Sequence, residues 1–571
     1  MSFPSFPPMT ASSTSYQNTM TAMMQPASTN DHTLIGRIAA QGKRSLSLRS
    51  LVATSDHILI GRMFIVLSLL CAFATAVLGV LLRIEHIAHL FRLRADHYSF
   101  MVFDDPNNWF RMWTLYRMSF IFLVLLPLLI GLGMTIIPSQ IGADVLAFPR
   151  AALGAFWCWL IGATIMVVSV LGGGGWGSLY HVTPDNTDAV SLTLLGTGMT
   201  ICGLLLAALV IATTIISLRE TGMSLKNVPP FTWSMLVASV VWLTTFPIVI
   251  ANIALIYTGL HGGQATSFAV SEDENIWLQL DWITEPPAVY ALAIPALGII
   301  LELLYAASGR KAPWPTFGAI AVGLFGFLSI GGWLQDFFVA GNLTADGMPV
   351  ASDPRYQLPY VVFAMAIMLL VFAFSANMFS LPRVKNTRTA SLTLMLVAAT
   401  VFGALRVLEP FELLESTITT SVFNALAVAG IIAAVAGICH WSYQLFGVTL
   451  VPEKMNQIIL ILLLTGGLCL TGADALSGVL GADSFVLLPE VALDVESPLS
   501  SQVEAQHVSS AFVQTFDTGS IAAFLTFASC LGLSLVAAGL LMLSIEALTT
   551  FGRTPQQVTA HTPSQEMAST T

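Results

Sequence analysis

Proteins hold transition metals chiefly through imidazole nitrogen and thiolate sulfur, and this chain offers 10 histidines and 6 cysteines for the purpose. The cysteines (Cys71, Cys158, Cys202, Cys439, Cys469 and Cys530) all fall in apolar runs and form no Cys-x-x-Cys pair. They read as small core hydrophobes, not as a disulfide framework or a thiolate site. The histidines are His32, His57, His86, His89, His97, His181, His261, His440, His507 and His561, and only His440 lies well inside an apolar run. Other polar groups do sit within such runs. Arg117 follows Tyr116, about 12 Å into its helix at 1.5 Å per residue. Glu302, Asp336 and Asp474 occupy other runs, and Asp281 and Glu285 precede one. A charge in hydrocarbon is expensive, so it pairs or lines a wet cavity. Arg117, Tyr290, Glu302 and Asp336 are therefore a candidate buried polar cluster. On one reading Arg117 pairs with a nearby carboxylate and fills space. On the other, the group is a polar site that binds a ligand or moves protons.

The elements that must position these residues are membrane helices. Of the 571 residues, 55% are hydrophobic and only 9% charged, against about 25% charged in soluble domains. Lipid offers the backbone no hydrogen-bond partners, so spanning segments are helices or a closed barrel. The apolar runs are about 20 residues or longer and lack period-two alternation, which selects helices. The fold class is all-α, a polytopic membrane protein with twelve transmembrane helices at 58–83, 109–137, 150–172, 189–217, 229–258, 287–308, 313–340, 357–381, 388–407, 417–446, 455–482 and 519–546. Lys and Arg gather in the N-terminal tail and the even-numbered turns, while the loops at 173–188, 259–286 and 483–518 contain neither. The positive-inside rule then puts both termini in the cytoplasm. Residues 1–56 read as a disordered cytoplasmic tail, 57–547 as the membrane domain and 548–571 as a short cytoplasmic tail. The net charge of −10 provides no basic stripe for nucleic acid. The glycine run Gly172–Gly175 lacks the Lys-Ser/Thr and the strand of a phosphate loop and reads as a tight turn. The acidic loop at 483–510 reads as a solvated loop rather than a docking face for a basic partner.

An ordered set of motifs points to one family. Ser55-Asp56-His57 with Ile60-Gly61 starts the first span. Phe122, Pro127, Gly131, Gly133, Pro138, Ile141-Gly142-Ala143 and Ala147-Phe148-Pro149-Arg150 follow the second. Gly222-Met223, Pro229, Phe231 and Trp233 precede the fifth; Pro287, Val289-Tyr290, Pro295 and Gly298-Ile299-Ile300 lie in the sixth; Gly437 and Trp441 to Gly447 end the tenth. Together they resemble the catalytic subunit I of the heme-copper oxidases over roughly residues 55 to 547.

That resemblance implies a twelve-helix bundle with a low-spin heme held by one His on the second span and one on the tenth. A high-spin heme would hang from another tenth-span His. Copper would take one His of the sixth span and a pair on the seventh, because neutral imidazole suits both metals. In the family's register the second-span ligand falls on Tyr116, the sixth-span ligand on Pro286, the pair on Gln335 and Asp336, and the two tenth-span ligands on Ser421 and Phe423. None is His, and Pro and Phe have no side-chain donor atom at all. The family's proton-path Asp aligns with Val145 and its Asn partners with Met134 and Ala152; no Lys lies between Lys311 and Lys385. Tyr290 matches the tyrosine that the family joins to a copper-ligand His, a position held here by Pro286.

The expectation is a cytochrome c oxidase subunit I-like membrane protein, not competent for oxygen reduction. It would bind no cofactor and act as a structural or assembly subunit of a respiratory complex in the bacterial inner membrane. Its partners would be lipid and oxidase subunits II and III or other respiratory subunits, with no nucleic acid. One alternative is an active terminal oxidase carrying heme and copper, which oxidises cytochrome c, reduces oxygen and pumps protons. Another is a transporter or small-ligand binder using the vacated heme pocket; twelve spans suit a transporter, but no internal two-fold repeat is visible.

Overall fold

The computed structural model describes residues 52–92, 106–175, 186–261, 280, 294–303, 306, 318–327, 417–447, 450–480 and 518–551. Among them every regular element is helical. Helix α1 is His57–Arg92. Helix α2 comprises Pro106–Ser119, a π-helical stretch Phe120–Leu125 and Leu126–Ile141. Then come α3 (Pro149–Leu171), α4 (Thr187–Ser217), a 3₁₀ turn Leu225–Asn227 and α5 (Pro230–His261). Two shorter apolar helices follow, α6 (Ile294–Leu303) and α7 (Gly318–Phe327). The last are α8 (Thr417–His440), the short α9 (Ser442–Phe446), α10 (Glu453–Val479) and α11 (Thr518–Phe551).

Eight of these, α1 to α5, α8, α10 and α11, are long and apolar enough to cross a membrane. They coincide with the first five and the last three expected spans. Helices α6 and α7 lie within the expected spans 287–308 and 313–340, and the expected spans 357–381 and 388–407 lie outside the described residues, as do the tails at 1–51 and 552–571. Helix α1 continues to Arg92, beyond the end expected at residue 83, and this extension matters for the site.

Burial separates the helices into two groups. The apolar stretch of α2 is 100% buried and that of α8 is 94% buried, whereas α1, α3, α4, α5, α10 and α11 are buried by 39–61%. A helix buried all round is central, and one buried on half its circumference turns the rest to lipid. Helix α2 packs on α1, α4, α5 and α8; α8 packs in turn on α10, α10 on α11, and α11 on α1. The two helices that the family resemblance singles out for heme ligands are therefore the innermost helices described.

Without a hydrophobic force between helices in lipid, close backbone approach and polar contacts hold them together. Along the α3–α4 seam, a Cβ on Gly203 would lie 2.5 Å from the Trp159 backbone nitrogen, and one on Gly162 2.5 Å from that of Thr200. Only glycine permits this contact. The π-helical stretch of α2 has an equally local cause. A π ladder pairs N–H(i) with C=O(i−5), so the Phe122 carbonyl would look to residue 127. That residue is Pro127, which has no N–H. The indole Nε1 of Trp159 donates to the Phe122 oxygen instead, at 2.8 Å, and Trp159 is 1% exposed. Trp159→Phe strands this carbonyl and leaves a void. It is expected to cost about 1–3 kcal/mol, read as a lowered thermal midpoint of the purified protein in detergent.

Candidate functional site

Helices α2 and α8 bring Tyr116, Ser421 and Phe423 into the protein interior, at 0%, 0% and 1% exposure. Each is already engaged. The Tyr116 hydroxyl donates to Asn424 Oδ1 at 3.3 Å. Its ring lies where a Cβ on Gly79 of α1 would collide with it, so the glycine makes room for the phenol. Ser421 Oγ donates to the Thr471 carbonyl of α10 at 2.8 Å. Phe423 meets Phe120 edge-on at 6.4 Å between centroids. The Arg117 guanidinium carbon stands 5.2 Å from the Phe423 ring centre, within cation–π range. An aromatic column runs along α2 toward this point: Trp109 stacks on Trp113 at 5.5 Å, Trp113 on Tyr116 at 5.7 Å, and Tyr116 meets Phe120 edge-on at 5.0 Å.

Around Tyr116 lies a polar network built from five helices. Arg83 of α1 donates from Nη2 to Asp474 Oδ2 of α10 at 3.1 Å, from Nε to Ser529 Oγ of α11 at 2.7 Å, and from Nη1 to the Gly79 carbonyl at 3.4 Å. Ser529 Oγ donates to Asp474 Oδ1 at 2.6 Å, and Asn424 Nδ2 of α8 donates to Asp474 Oδ2 at 3.0 Å. The Arg83 guanidinium also lies 5.9 Å from the Tyr116 ring centre. The Arg83 and Asp474 side chains are 8% and 9% exposed. Asp474 thus accepts three donors and faces one full positive charge, the condition under which a carboxylate survives burial.

Sequence reasoning singled out Arg117 as a buried arginine and did not single out Arg83, which pairs with Asp474. The residue was missed because it closed the expected first span, where an arginine ordinarily reaches out to water. Helix α1 runs on to Arg92, which puts Arg83 inside the bundle. Asp474 was visible as a charge in an apolar run, but nothing in one dimension linked it to Arg83.

Glu302 belongs to a second group at the other end of α2. Gln140 Nε2 donates to Glu302 Oε1 at 2.6 Å, Thr232 Oγ1 donates to Gln140 Oε1 at 2.6 Å, and the Phe231 N–H donates to Glu302 Oε2 at 3.2 Å. Phe231 is the second residue of α5, so Glu302 accepts from one of the N–H groups that the first turn of that helix leaves without an intrahelical partner. Gln140 lies 23 residues beyond Arg117 on α2, about 34 Å along the axis. Arg117 and Glu302 are therefore not brought together. Tyr290, Asp336, Gln335 and Pro286 lie outside the described residues. His440 is exposed at the end of α8, and among the described residues no group of three or more His, Cys, Asp or Glu could hold a metal ion.

The family model for cytochrome c and quinol oxidase polypeptide I matches residues 59–512. The chain belongs to this family, whose members include the heme-copper oxidase subunit I. It is similar to quinol oxidase subunit 1 of Bacillus subtilis (strain 168), with 25% identity over 417 residues, 70% of this chain and 60% of the relative. It is also similar to cytochrome c oxidase subunit 1 of the same organism, at 26% over 372 residues, 62% of this chain and 58% of the relative. Cytochrome c oxidase subunit 1 of Corynebacterium efficiens is 31% identical over 294 residues, 49% of this chain and 48% of the relative. The chain spans about 60% of the length of the quinol oxidase relatives it matches.

The described residues do not fit a low-spin heme at the family's position. Phe423 carries no donor atom, and Tyr116, whose phenol oxygen is the one ligand atom on offer, gives its proton to an amide oxygen deep in a closed network. Ser421, the other tenth-span ligand position, is turned to the α10 backbone. Tyr116→Phe removes one hydrogen bond and should cost about 1 kcal/mol. Tyr116→Ala opens a cavity beside Gly79 and should cost about 3–5 kcal/mol. Thermal unfolding of the two variants in the same detergent separates the contribution of the hydroxyl from that of the ring.

Proposed function

We propose that this multi-pass membrane protein, a cytochrome c and quinol oxidase polypeptide I family member, works without the family's hemes and copper as a structural or assembly subunit of a respiratory complex. The observation that carries the reading is the occupation of the heme-ligand positions. Tyr116 is bonded to Asn424, Ser421 to the Thr471 carbonyl, and Phe423 is packed between Phe120 and Arg117. Function resides in such sites and not in the fold that carries them. The remaining family positions, Pro286, Gln335 and Asp336, supply no imidazole for copper, which supports the same reading.

The bacterial relatives, each named as subunit 1 of an oxidase, support a place in the bacterial inner membrane beside other oxidase subunits, subunits II and III being the natural partners. The distribution of Lys and Arg supports cytoplasmic termini. Family membership alone would favour an active terminal oxidase. That reading requires metal ligands at positions where this chain has phenol, hydroxyl, amide, carboxylate and hydrocarbon groups.

A reduced-minus-oxidised optical spectrum of the purified full chain tests the proposal. The expected spectrum has no heme band, and the protein consumes no oxygen when given reduced cytochrome c or a quinol. A stoichiometric heme a or b band would return the chain to the terminal oxidases. Purification from the native membrane should bring down oxidase subunits in fixed ratio; recovery of the chain alone would remove the assembly role.

A further inference from the structure

We propose that the Arg83–Asp474 ion pair, extended through Ser529, Asn424 and Tyr116, is the cross-helix tie of this protein, doing for α1, α2, α8, α10 and α11 the holding that a heme between α2 and α8 would otherwise do. The inference rests on the heme-free reading above and goes beyond it, because it names what replaces the cofactor mechanically and predicts that the chain folds independently of heme supply.

Three observations carry it. The first is location. The family's second-span heme-ligand position is Tyr116 and its two tenth-span positions are Ser421 and Phe423, and the network enters this space through Tyr116 and through Asn424, the residue after Phe423. The second is reach. Its five members come from five helices, and the bonds that join them span 50 to 446 residues of sequence. The third is closure. Arg83 Nε, Nη1 and Nη2 all donate, both Asp474 oxygens accept, and Asn424 uses its oxygen toward Tyr116 and its nitrogen toward Asp474. A polar network inside a membrane protein is stabilising when every member is satisfied and damaging when one is removed. Helices in lipid lack a hydrophobic drive to associate, so polar contacts between them are among the forces that hold the bundle together.

Charge makes the tie all-or-none. Removing the carboxylate strands a guanidinium in a low-dielectric interior, and removing the guanidinium strands a carboxylate. Removing both charges leaves polar groups that can still bond to one another. A buried pair is therefore distinguished from generic packing by the pattern of single and double substitutions.

The experiment uses the full-length chain expressed in a heme-auxotrophic host, with and without 5-aminolevulinate, and measures the monodisperse yield in detergent and the thermal midpoint. The wild-type chain should accumulate equally under both conditions. Arg83→Gln and Asp474→Asn, each alone, should lower the midpoint by about 5 °C or more, or lower the yield where the variant fails to assemble. The Arg83→Gln/Asp474→Asn double variant should recover a large part of either loss. Harmless single variants, or a double variant whose loss is the sum of the two, would overturn the tie. So would a wild-type yield that collapses on heme starvation. The optical spectrum keeps the two ideas apart: a heme band in wild-type protein defeats the heme-free reading, whereas the substitution pattern and the yield under heme starvation decide the tie.

Discussion

A full charge placed inside a lipid-embedded bundle has to meet its opposite, and the core of this protein is organised around one such meeting. Arg83 and Asp474 lie 3.1 Å apart with almost no exposure. Each is costly alone, since desolvation of a single ion in a low dielectric outweighs any one hydrogen bond. Together with Ser529 and Asn424 they join α1, α8, α10 and α11 in one hydrogen-bonded network. The aromatic column from Trp109 to Phe120 then has a defined wall to lie against. Tyr116 can occupy the centre because Gly79, one turn before Arg83 on α1, carries no side chain.

The two ends of α2 solve the same problem with different means. Near Tyr116 the network pairs opposite charges. Near Gln140 a lone carboxylate, that of Glu302, is accommodated by side-chain amide and backbone N–H donors at the start of α5. A carboxylate at a helix N-terminus faces partial positive charge and needs no cationic side chain. Between these ends the apolar stretch of α2 is fully buried, and its π-helical irregularity is absorbed by Trp159. The central helix is thus anchored at both ends by polar contacts and in the middle by shape.

Membership of the cytochrome c and quinol oxidase polypeptide I family and the identity of the residues at the ligand positions pull in opposite directions, and the geometry explains how both can hold. Glycines, prolines and aromatics that set helix packing are the residues that carry the resemblance. These specify how helices approach and turn, which is a property of the whole bundle. Metal chemistry depends on a handful of donor atoms, and replacing a donor by Tyr or Phe of comparable bulk keeps the interior filled. A fold can therefore persist after its site has changed.

Much was legible in the sequence because membrane solvation is a local rule. Any run of apolar residues long enough to cross must be helical, so the eight membrane-crossing helices described and the family motifs were readable without knowledge of contacts, as was the absence of imidazole at Tyr116, Ser421 and Phe423. Pairing was not legible. Arg83 stood at the end of an expected span and Asp474 lay 391 residues away; whether an arginine reaches to water or into the bundle depends on how far its helix continues and on which neighbours cover it. Likewise Arg117 and Glu302 looked like members of one buried group until α2 put about 34 Å between them. Composition and hydropathy determined what kind of object this chain is; which charges meet inside it was decided by three-dimensional packing, because electrostatic partnership depends on distance in space and not on order along the chain.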